Sequence, residues 1–378
     1  MKNIYIVCSS LNLGGAEIQS VWLANKLVKK GYRVSYVVLK KSNYISTYLD
    51  KNINLIQYKM YAADSNKNLV KIRKLYNFFS GIVLFRKKIK KDNALVFSFL
   101  FHSNIFVFLS TLFTNKKHII CIRNDRFNSR NSTKNLKIRF FLIYIVSLFS
   151  YKIVFNSNKA HQTIGRKLPE KNRQTVILNS IADFKVPVDE EKYTDIKNFL
   201  KGSHNRFVSV GRLEPLKNYE NILKAFMILK HKGIEFKYVI FGQGFLEDKL
   251  KNIISESNLE EDVILLGGIR GAKEYLDLFS YYILGSIHEG FPNSLIEAMS
   301  KGLIPFVTDA GDAFDIISQD RGVQIEDTRA DQIAATIFGF LEKKDTKVNN
   351  DMLVNISSYL NTDLNQDNII NKWIDLIK

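Results

Sequence analysis

The stretch G-S-I-H-E-G-F-P-N-S-L-I-E-A-M-S-K-G, residues Gly285–Gly302, decides how the chain is interpreted. An apolar run, Tyr281–Leu284, precedes it and predicts a buried strand. A turn with glycine and proline follows, and a helical pattern begins near Asn293 and ends at Gly302. The first backbone N–H groups of a helix lack partners within the helix, so this strand–turn–helix unit can hold an anion.

Two carboxylates, Glu289 and Glu297, lie on either side of the predicted helix start. They suit a ligand that carries many hydroxyl groups at one end and an anion at the other. Ser294 and Glu297 also fit S-x-x-E, a capping box, which by itself accounts for Glu297 without any ligand. The capping box does not account for the preceding turn E-G-F-P-N, so the stretch predicts a binding site.

Composition indicates a globular protein with more than one domain. The chain has 378 residues, of which 46% are hydrophobic and 24% are charged, and this length exceeds one ordinary core. Its apolar runs are too short for a signal peptide or a bilayer-spanning helix. Cys8 and Cys121 both lie in apolar strand patterns, which indicates a reduced, cytoplasmic protein.

The net charge of +18 is concentrated in the first half of the chain. Met1–Asp183 contains 32 Lys and Arg residues against 7 Asp and Glu residues, whereas Phe184–Lys378 carries a net charge of −7. In the first half, Asn66–Lys91 and Asn115–Arg139 interleave basic residues with apolar and aromatic ones. We therefore expect an anionic membrane surface as a partner. Nucleic acid is not expected, because no recognised nucleic-acid module is present.

Both halves alternate strands, glycine turns and helices, a pattern that predicts parallel sheets. The alternation lapses from Ile181 to about Gly202 and restarts with the strand Arg206–Val210. We expect the domain boundary in this interval. The predicted domains are 1–183, joined by a C-terminal helix at about 364–378, and 184–363.

Three further loops follow predicted strands, where parallel sheets bind ligands. Arg212 and Lys217 flank the turn G-R-L-E-P-L-K-N, and a guanidinium with an ammonium suits a pyrophosphate, although exposed basic residues are common. Gly14-Gly15 allows close approach of a ligand to the backbone, or forms only a tight turn. His102 has the position of a catalytic loop residue but also fits a packed core residue. No residues have metal-ligand spacing.

Together, Glu289–Glu297, G-R-L-E-P-L-K-N, I-F-G-Q-G-F-L-E-D-K-L and N-L-G-G-A-E resemble motifs of the retaining glycosyltransferases of family 4. The motifs occur in the family's order along nearly the whole chain. The resemblance implies the GT-B fold, an α/β architecture of two Rossmann-like domains with a cleft between them. It also implies transfer of a hexose or N-acetylhexosamine from a nucleoside diphosphate, expected to be UDP, with retention and without a metal ion or other cofactor.

The resemblance also implies roles for individual residues. His102, Arg212, Lys217 and Glu289 form the expected catalytic set, in which Glu289 binds sugar hydroxyls and the two cations bind the diphosphate. The donor-binding positions are, in addition to these cations and Glu289, Gly15, Ile269, Gly290, Phe291, Pro292, Asn293, Ser294, Leu295 and Glu297. Within this set, Glu297 is expected to bind the ribose.

Acceptor contacts are expected from His102, Arg123 and Asn124. The loop Arg123–Asp125 resembles that of transferases that build capsule, O-antigen or related lipid-linked glycans. The expected acceptor is therefore a polyprenyl-diphosphate-linked or growing glycan at the inner face of the plasma membrane. Ser280 and Asp312 depart from residues that are frequent in the family and leave the subfamily open.

Two other functions stay open on the sequence. A UDP-N-acetylglucosamine 2-epimerase has the same fold, but it needs an acid and base set that the sequence does not supply. A non-catalytic, membrane-docked glycan-binding subunit would hold a sugar without transferring it.

Overall fold

The computed structural model describes residues 3–12, 14–40, 45–58, 67–123, 134–184, 186–269, 271–343 and 345–378, without the side chains of 67–72 and 134–135. The chain divides into two compact units. The first unit comprises Met1–Asp183 with Gln366–Lys378, and the second comprises Phe184–Asn365.

The first unit contains a seven-stranded parallel sheet. Its strands are β1 (Asn3–Cys8), β2 (Arg33–Val38), β3 (Asn54–Gln57), β4 (Ala94–Phe99), β5 (Lys117–Ile122), β6 (Lys152–Phe155) and β7 (Gln174–Val176). The helices that connect them are α1 (Gly15–Lys29), α2 (Lys67–Lys91), α3 (Phe101–Thr111), α4 (Lys134–Leu148) and α5 (Asn158–Thr163). The strand order is β3-β2-β1-β4-β5-β6-β7.

The central strands of this sheet are apolar because helices cover both of its faces. All residues from Ile4 to Cys8 and from Ala94 to Phe99 are buried. β1 pairs in parallel with β2 and with β4, so that Asn3 lies opposite both Arg33 and Ala94. β1 and β4 are therefore neighbours in the sheet although β2 and β3 separate them in the chain.

The second unit repeats this plan with six parallel strands. They are β8 (Arg206–Val210), β9 (Lys237–Phe241), β10 (Val263–Leu265), β11 (Tyr281–Leu284), β12 (Ile304–Thr308) and β13 (Val323–Ile325), in the order β10-β9-β8-β11-β12-β13. The helices are α6 (Glu190–Phe199), α7 (Tyr219–His231), α8 (Glu247–Glu256), α9 (Asn293–Ser300), α10 (Ala313–Ile317), α11 (Ala330–Lys343) and α12 (Thr346–Thr362). The predicted α/β class with parallel sheets is confirmed.

The last helix, α13 (Gln366–Asp375), packs in the first unit. Trp373 is buried, and its ring lies 5.6 Å from the ring of Phe97 and 6.2 Å from that of Phe99. The Gln366 side-chain amide donates to the Ile181 carbonyl at 3.0 Å. Burial of one aromatic face thus attaches the end of the chain to the sheet of the first unit.

Two parts of the fold, helix α6 and the edge strands β3 and β13, differ from the pattern in the sequence. The interval predicted to be irregular contains α6, which begins where the Asp189 side chain accepts from the Lys192 backbone N–H at 3.2 Å. The edge strands β3 and β13 were not predicted, because they are short and largely lack buried apolar residues. Among the described helices, none combines the length and the apolar character needed to cross a bilayer.

Candidate active site

The centre of the candidate site is an ion pair between Lys217 and Glu289. The Lys217 ammonium donates to Oε1 of Glu289, and the Ser286 hydroxyl donates to the same oxygen at 2.8 Å. The two charged side chains are only 19% and 14% exposed. Partial burial strengthens such a pair relative to one at the surface, so the structure brings together two residues that lie 72 positions apart in the chain.

The order of the strands explains why these two residues meet. Lys217 follows β8 and Glu289 follows β11, and these strands are neighbours in the sheet. β9 and β10 extend the sheet on one side of them, while β12 and β13 extend it on the other. The connections therefore diverge between β8 and β11, and the carboxyl ends of strands at such a reversal are where open α/β sheets bind ligands.

Backbone contacts hold the two loops together. The Ile287 N–H donates to the Leu216 carbonyl at 2.8 Å, next to the ion pair. Pro215 starts the short helical turn Pro215–Lys217. Asn218 then adopts a positive φ of 58°, which redirects the chain into α7. The position of the Lys217 side chain is thus fixed by local backbone geometry as well as by its charge.

A third loop, after β12, closes on the residues around Glu289. Gly311 has a φ of 58°, and a Cβ atom on it would lie 2.1 Å from the Gly290 carbonyl oxygen. The Asp312 N–H donates to that same oxygen at 3.2 Å. Only glycine allows this approach at position 311. Gly311 is therefore a part of the site that the sequence pattern around Glu289 did not reveal.

Helix α9 begins at Asn293, as predicted, but its capping differs from the expected one. Pro292 occupies the N-cap position without a side-chain hydrogen bond. The Ser294 hydroxyl instead forms a 2.7 Å hydrogen bond with the hydroxyl of Tyr282 on β11. The predicted capping box between Ser294 and Glu297 is therefore wrong, since the N-cap lies two residues before Ser294. Without this capping box, the simplest explanation of Glu297 that needs no ligand no longer applies.

Glu297 lies within α9 and is only partly exposed. Burial raises the pKa of its carboxyl from 4.5 to about 7, while the Lys273 charge lowers it and the Glu274 charge raises it. In the described part of the chain its carboxylate accepts no hydrogen bond. A buried carboxyl without donors is costly in its charged form, so this group favours a ligand that supplies donors.

Arg212, the other predicted cation, lies apart from this ion pair. Its side chain is 62% exposed and pairs with Glu214 at 2.5 Å. The turn that carries it is packed closely against the β9 loop, because a Cβ on Gly242 would lie 2.1 Å from the Gly211 carbonyl oxygen. The predicted motifs G-R-L-E-P-L-K-N and G-Q-G thus form one packed unit, with the Arg212 side chain exposed at its surface.

The nucleobase position predicted at Ile269 follows β10, at the same edge of the sheet. Ile269 is partly exposed. The Gly242 N–H donates to the Gly267 carbonyl at 2.8 Å, which joins the β9 and β10 loops. The β8, β9, β10, β11 and β12 loops consequently lie side by side, and Phe291 and Leu295 are buried beneath this edge.

In the first unit, Gly15 and His102 lie at the corresponding reversal, between β1 and β4. Gly15 is the first residue of α1, and His102 is in the first turn of α3. The hydroxyls of Ser9, which follows β1, and Ser103, in the first turn of α3, lie 3.0 Å apart and join the two segments. Leu100, which caps α3, has φ 72° and ψ 157°, a conformation that non-glycine residues rarely adopt and that is frequent at functional sites.

His102 retains solvent exposure, and its ring packs edge-on against that of Phe101 with 5.5 Å between ring centroids. Partial burial and the nearby charge of Arg139 lower the pKa of its imidazole. The ring is therefore neutral near pH 7 and can accept a proton or a hydrogen bond. The alternative interpretation of His102 as a packed core residue is not supported.

Arg123 occupies a structural position. Its guanidinium donates to Asn179 at 2.6 Å and lies 4.7 Å from the ring centroid of Phe99 and 5.5 Å from that of Trp373. Burial lowers the pKa of this group. These contacts account for Arg123 without a ligand, and its acceptor role stays a prediction. Asn124, the other predicted acceptor contact, lies outside the described residues.

Comparisons with known proteins agree with this fold. Residues 191–355 match the family model of glycosyl transferases group 1. The chain is 29% identical over 217 residues to N-acetylgalactosamine-N,N'-diacetylbacillosaminyl-diphospho-undecaprenol 4-alpha-N-acetylgalactosaminyltransferase of Campylobacter jejuni, covering 56% of this chain and 57% of that protein. It is 26% identical over 306 residues to the capsular polysaccharide biosynthesis glycosyltransferase CapH of Staphylococcus aureus, covering 79% of each.

Solved structures share the fold over the whole chain. Anabaena HepE in complex with UDP and glucose has a TM-score of 0.80 at 14% identity, covering 100% of this chain and 99% of that one. Sucrose-phosphate synthase from Thermosynechococcus elongatus has a TM-score of 0.82 at 15% identity, covering 100% and 98%. Identity this low supports the fold alone.

The fold and the matched domain define a glycosyltransferase of the GT-B class. Residues 191–355, which contain Lys217, Glu289 and Glu297, are the part of the chain that matches the family model of glycosyl transferases group 1.

Proposed function

We propose that the protein transfers a hexose or N-acetylhexosamine from UDP to a lipid-linked or growing glycan during the assembly of a cell-surface polysaccharide. The buried ion pair of Lys217 with Glu289, at the reversal of the second sheet, is the observation that carries this proposal. The Campylobacter and Staphylococcus relatives, whose names specify a diphospho-undecaprenol substrate and capsular polysaccharide, support the class of acceptor.

The pair is suited to the junction between sugar and diphosphate. Cleavage of the bond between them places negative charge on the leaving diphosphate, and the reaction accelerates when positive groups are already positioned there. Lys217 supplies a partly buried positive charge, and the start of α9 adds the positive end of a helix dipole. Glu289, held by Lys217 and Ser286, accepts hydrogen bonds from the sugar hydroxyls.

The other proposed donor contacts follow the order of the loops. Arg212 releases Glu214 and turns to the diphosphate, while Glu297 accepts the ribose hydroxyls. The backbone after β10, at Ile269, contacts the nucleobase. The roles of Gly15 and His102 in the transfer rest on the resemblance and on their position at the reversal of the first sheet.

We further propose that attack occurs on the same face as departure of the leaving group, so that the anomeric configuration is retained. No carboxylate is assigned as a covalent nucleophile, and the cations above take the part that a metal ion has in other transferases. The protein would act in the cytoplasm at the inner face of the plasma membrane, where lipid-linked acceptors are held.

The test combines donor binding with transfer. UDP-sugars are screened by thermal shift, because a true donor stabilises the folded protein by mass action. Transfer to a lipid-linked acceptor is then measured for Lys217→Met and for Lys230→Met, a control in which a surface pair with Asp262 is lost. We expect Lys217→Met to lower kcat about 100-fold or more, with the control near the wild-type rate.

Several outcomes would contradict the proposal. A near-normal rate for Lys217→Met would remove the proposed role of the ion pair. Conversion of a UDP-sugar without any acceptor would indicate an epimerase. Stabilisation by glycans without donor hydrolysis or transfer would indicate a non-catalytic binding subunit.

A further inference from the structure

Helix α2 presents a stripe of apolar side chains to the outside of the first unit. Leu75, Tyr76, Phe79 and Val83 are each more than half exposed. At 3.6 residues per turn they fall within about 100° of the helix circumference. The side of α2 that packs on the sheet is a separate one, formed by Ile82, Phe85 and Ile89. This stripe is therefore not part of the core of the first unit.

Helix α4 has a similar exposed face. Ile138, Phe141 and Leu142 are all exposed, and Phe149, just after the helix, is 63% exposed. An adjacent side of α4, through Ile143 and Val146, is buried. A helix that is apolar on nearly all sides normally lies in a protein core or in lipid. In α4, only one side is covered by residues that the structure describes.

The two faces belong to one layer of helices. α3 packs against both α2 and α4. The rings of Phe78 and Phe106 join α2 to α3 at 6.0 Å, and those of Phe108 and Phe149 join α3 to the end of α4 at 5.7 Å. Phe113, just after α3, is 90% exposed. We call the exposed set Leu75, Tyr76, Phe79, Val83, Ile138, Phe141, Leu142 and Phe149 the apolar face.

The charges around the apolar face indicate what covers it. α2 contains nine Lys and Arg residues and α4 contains three, and neither helix has an Asp or Glu. Arg86, Lys87 and Lys90 continue the stripe of α2 beyond Val83. On α4, Lys137 and Arg139 flank Ile138. A second copy of the chain would oppose like charges across a two-fold interface. An anionic surface with an apolar interior complements both features.

We infer that the apolar face enters the headgroup boundary of an anionic lipid bilayer. Phe79 and Phe141 insert into the lipid as anchors, and the flanking lysines contact the lipid phosphates. Helices that lie in this boundary combine Phe and Leu on one side with Lys and Arg beside them. The sequence shows basic residues interleaved with apolar ones, and the structure adds that apolar side chains of α2 and α4 are exposed. They can make an apolar contribution to membrane binding that salt does not screen.

The inference rests on the proposed function in one respect, because the proposed lipid-linked acceptor is held at the bilayer surface. Arg139 lies over the ring of Phe101 at 5.1 Å, next to His102. The bilayer would thus lie beside the end of the first sheet that carries the candidate residue for the acceptor.

The experiment measures flotation of the full chain with vesicles of phosphatidylcholine, alone or mixed with phosphatidylglycerol, at low and high salt. Phe79→Ser with Phe141→Ser removes the anchors without adding charge. Phe245→Ser with Val354→Ser is the matched control, since these side chains of the second unit are 76% and 67% exposed. A third variant replaces Lys87, Lys88 and Lys90 by Gln.

We expect the anchor variant to lower partition onto the mixed vesicles about tenfold or more at either salt concentration. The lysine variant should weaken partition at low salt and have little effect at high salt. The control should partition as the wild type does, and all three variants should keep the thermal transition and the thermal shift with a UDP-sugar.

Wild-type partition by the anchor variant, or no partition by the wild type on either vesicle, would overturn the inference. A wild-type dimer that becomes a monomer in the anchor variant would assign the apolar face to a second copy instead. Failure of the proposed function has a different signature: no UDP-sugar shifts the thermal transition, while flotation with vesicles persists.

Discussion

Replacing Glu297 by Gln tests whether its partly buried carboxyl lowers the stability of the free protein and contributes to binding of the donor. Burial raises the pKa of this group from 4.5 to about 7. The folded protein therefore binds a proton more tightly than the unfolded chain does. Its contribution to stability is fully present below pH 4.5 and is lost as the pH rises through about 7.

The magnitude follows from the two pKa values. Each pKa unit corresponds to about 1.4 kcal/mol, so ionisation of Glu297 costs the wild type up to about 3 kcal/mol of unfolding free energy above pH 7. This is an upper bound, because the carboxyl retains some exposure. Gln resembles the protonated acid and avoids the cost. For a domain of this size, Glu297→Gln should raise Tm by up to about 5–10 °C at about pH 8.5.

Donor binding should respond in the opposite direction. Hydrogen bonds from ribose hydroxyls to a carboxylate are stronger than those to a neutral acid or amide. We expect Glu297→Gln to weaken binding of a UDP-sugar about tenfold to a hundredfold at about pH 8.5. The wild-type affinity should fall as the pH decreases below about 7, whereas the variant should lack this dependence.

The assay is differential scanning fluorimetry and titration calorimetry of both proteins between about pH 5 and about pH 8.5. A nucleotide sugar is used because its diphosphate diester does not titrate in this range. If the variant is no more stable than the wild type at the higher pH, Glu297 is not the costly buried acid described above. If the variant is more stable but binds the donor equally well, Glu297 does not contact the ribose.

Two further substitutions test the packing around the site. Gly311→Ala should lower the free energy of unfolding by about 3 kcal/mol or more, because its Cβ would lie 2.1 Å from the Gly290 carbonyl oxygen. The control Gly302→Ala, at a position with a positive φ but no atom within 4 Å of the added Cβ, should lower it by only about 1–2 kcal/mol. Equal losses of Tm in these two variants would contradict the clash. Tyr282→Phe removes the 2.7 Å bond to Ser294 and should cost about 1 kcal/mol and weaken donor binding severalfold by calorimetry, and an unchanged affinity would show that this bond does not position α9.

The central strands could be predicted because two buried faces leave an almost continuous apolar run. The run Ala94–Phe99 forms β4 and the run Tyr281–Leu284 forms β11. The strands β3 and β13 were not predicted because, at the edges of the sheets, they carry polar residues. α6 was missed because its apolar face is narrow and only Ile196 of the helix is buried.

The sequence proposes candidate residues for the site, but the contacts between them could not be predicted. The sequence provided Lys217 and Glu289 separately, and only the neighbouring positions of β8 and β11 in the sheet make them partners. Strand order is set by the packing of crossover helices and is not encoded in the local pattern. The Tyr282–Ser294 bond was hidden for a similar reason: a buried tyrosine on a strand resembles any other core residue.

The two glutamates of the site now differ in a way that bears on their chemistry. Glu289 is committed to an ion pair, and Glu297 is a partly buried acid with a pKa of about 7. Two carboxyl groups in such different environments are typical of an acid and base pair, which would make Glu297 a proton donor. Loss of a proton donor lowers kcat even with saturating donor, whereas loss of a ribose contact raises KM and leaves kcat nearly unchanged. Because Glu297 lies on α9, beyond the proposed sugar contacts of Glu289 and Gly290, we expect the second result for Glu297→Gln.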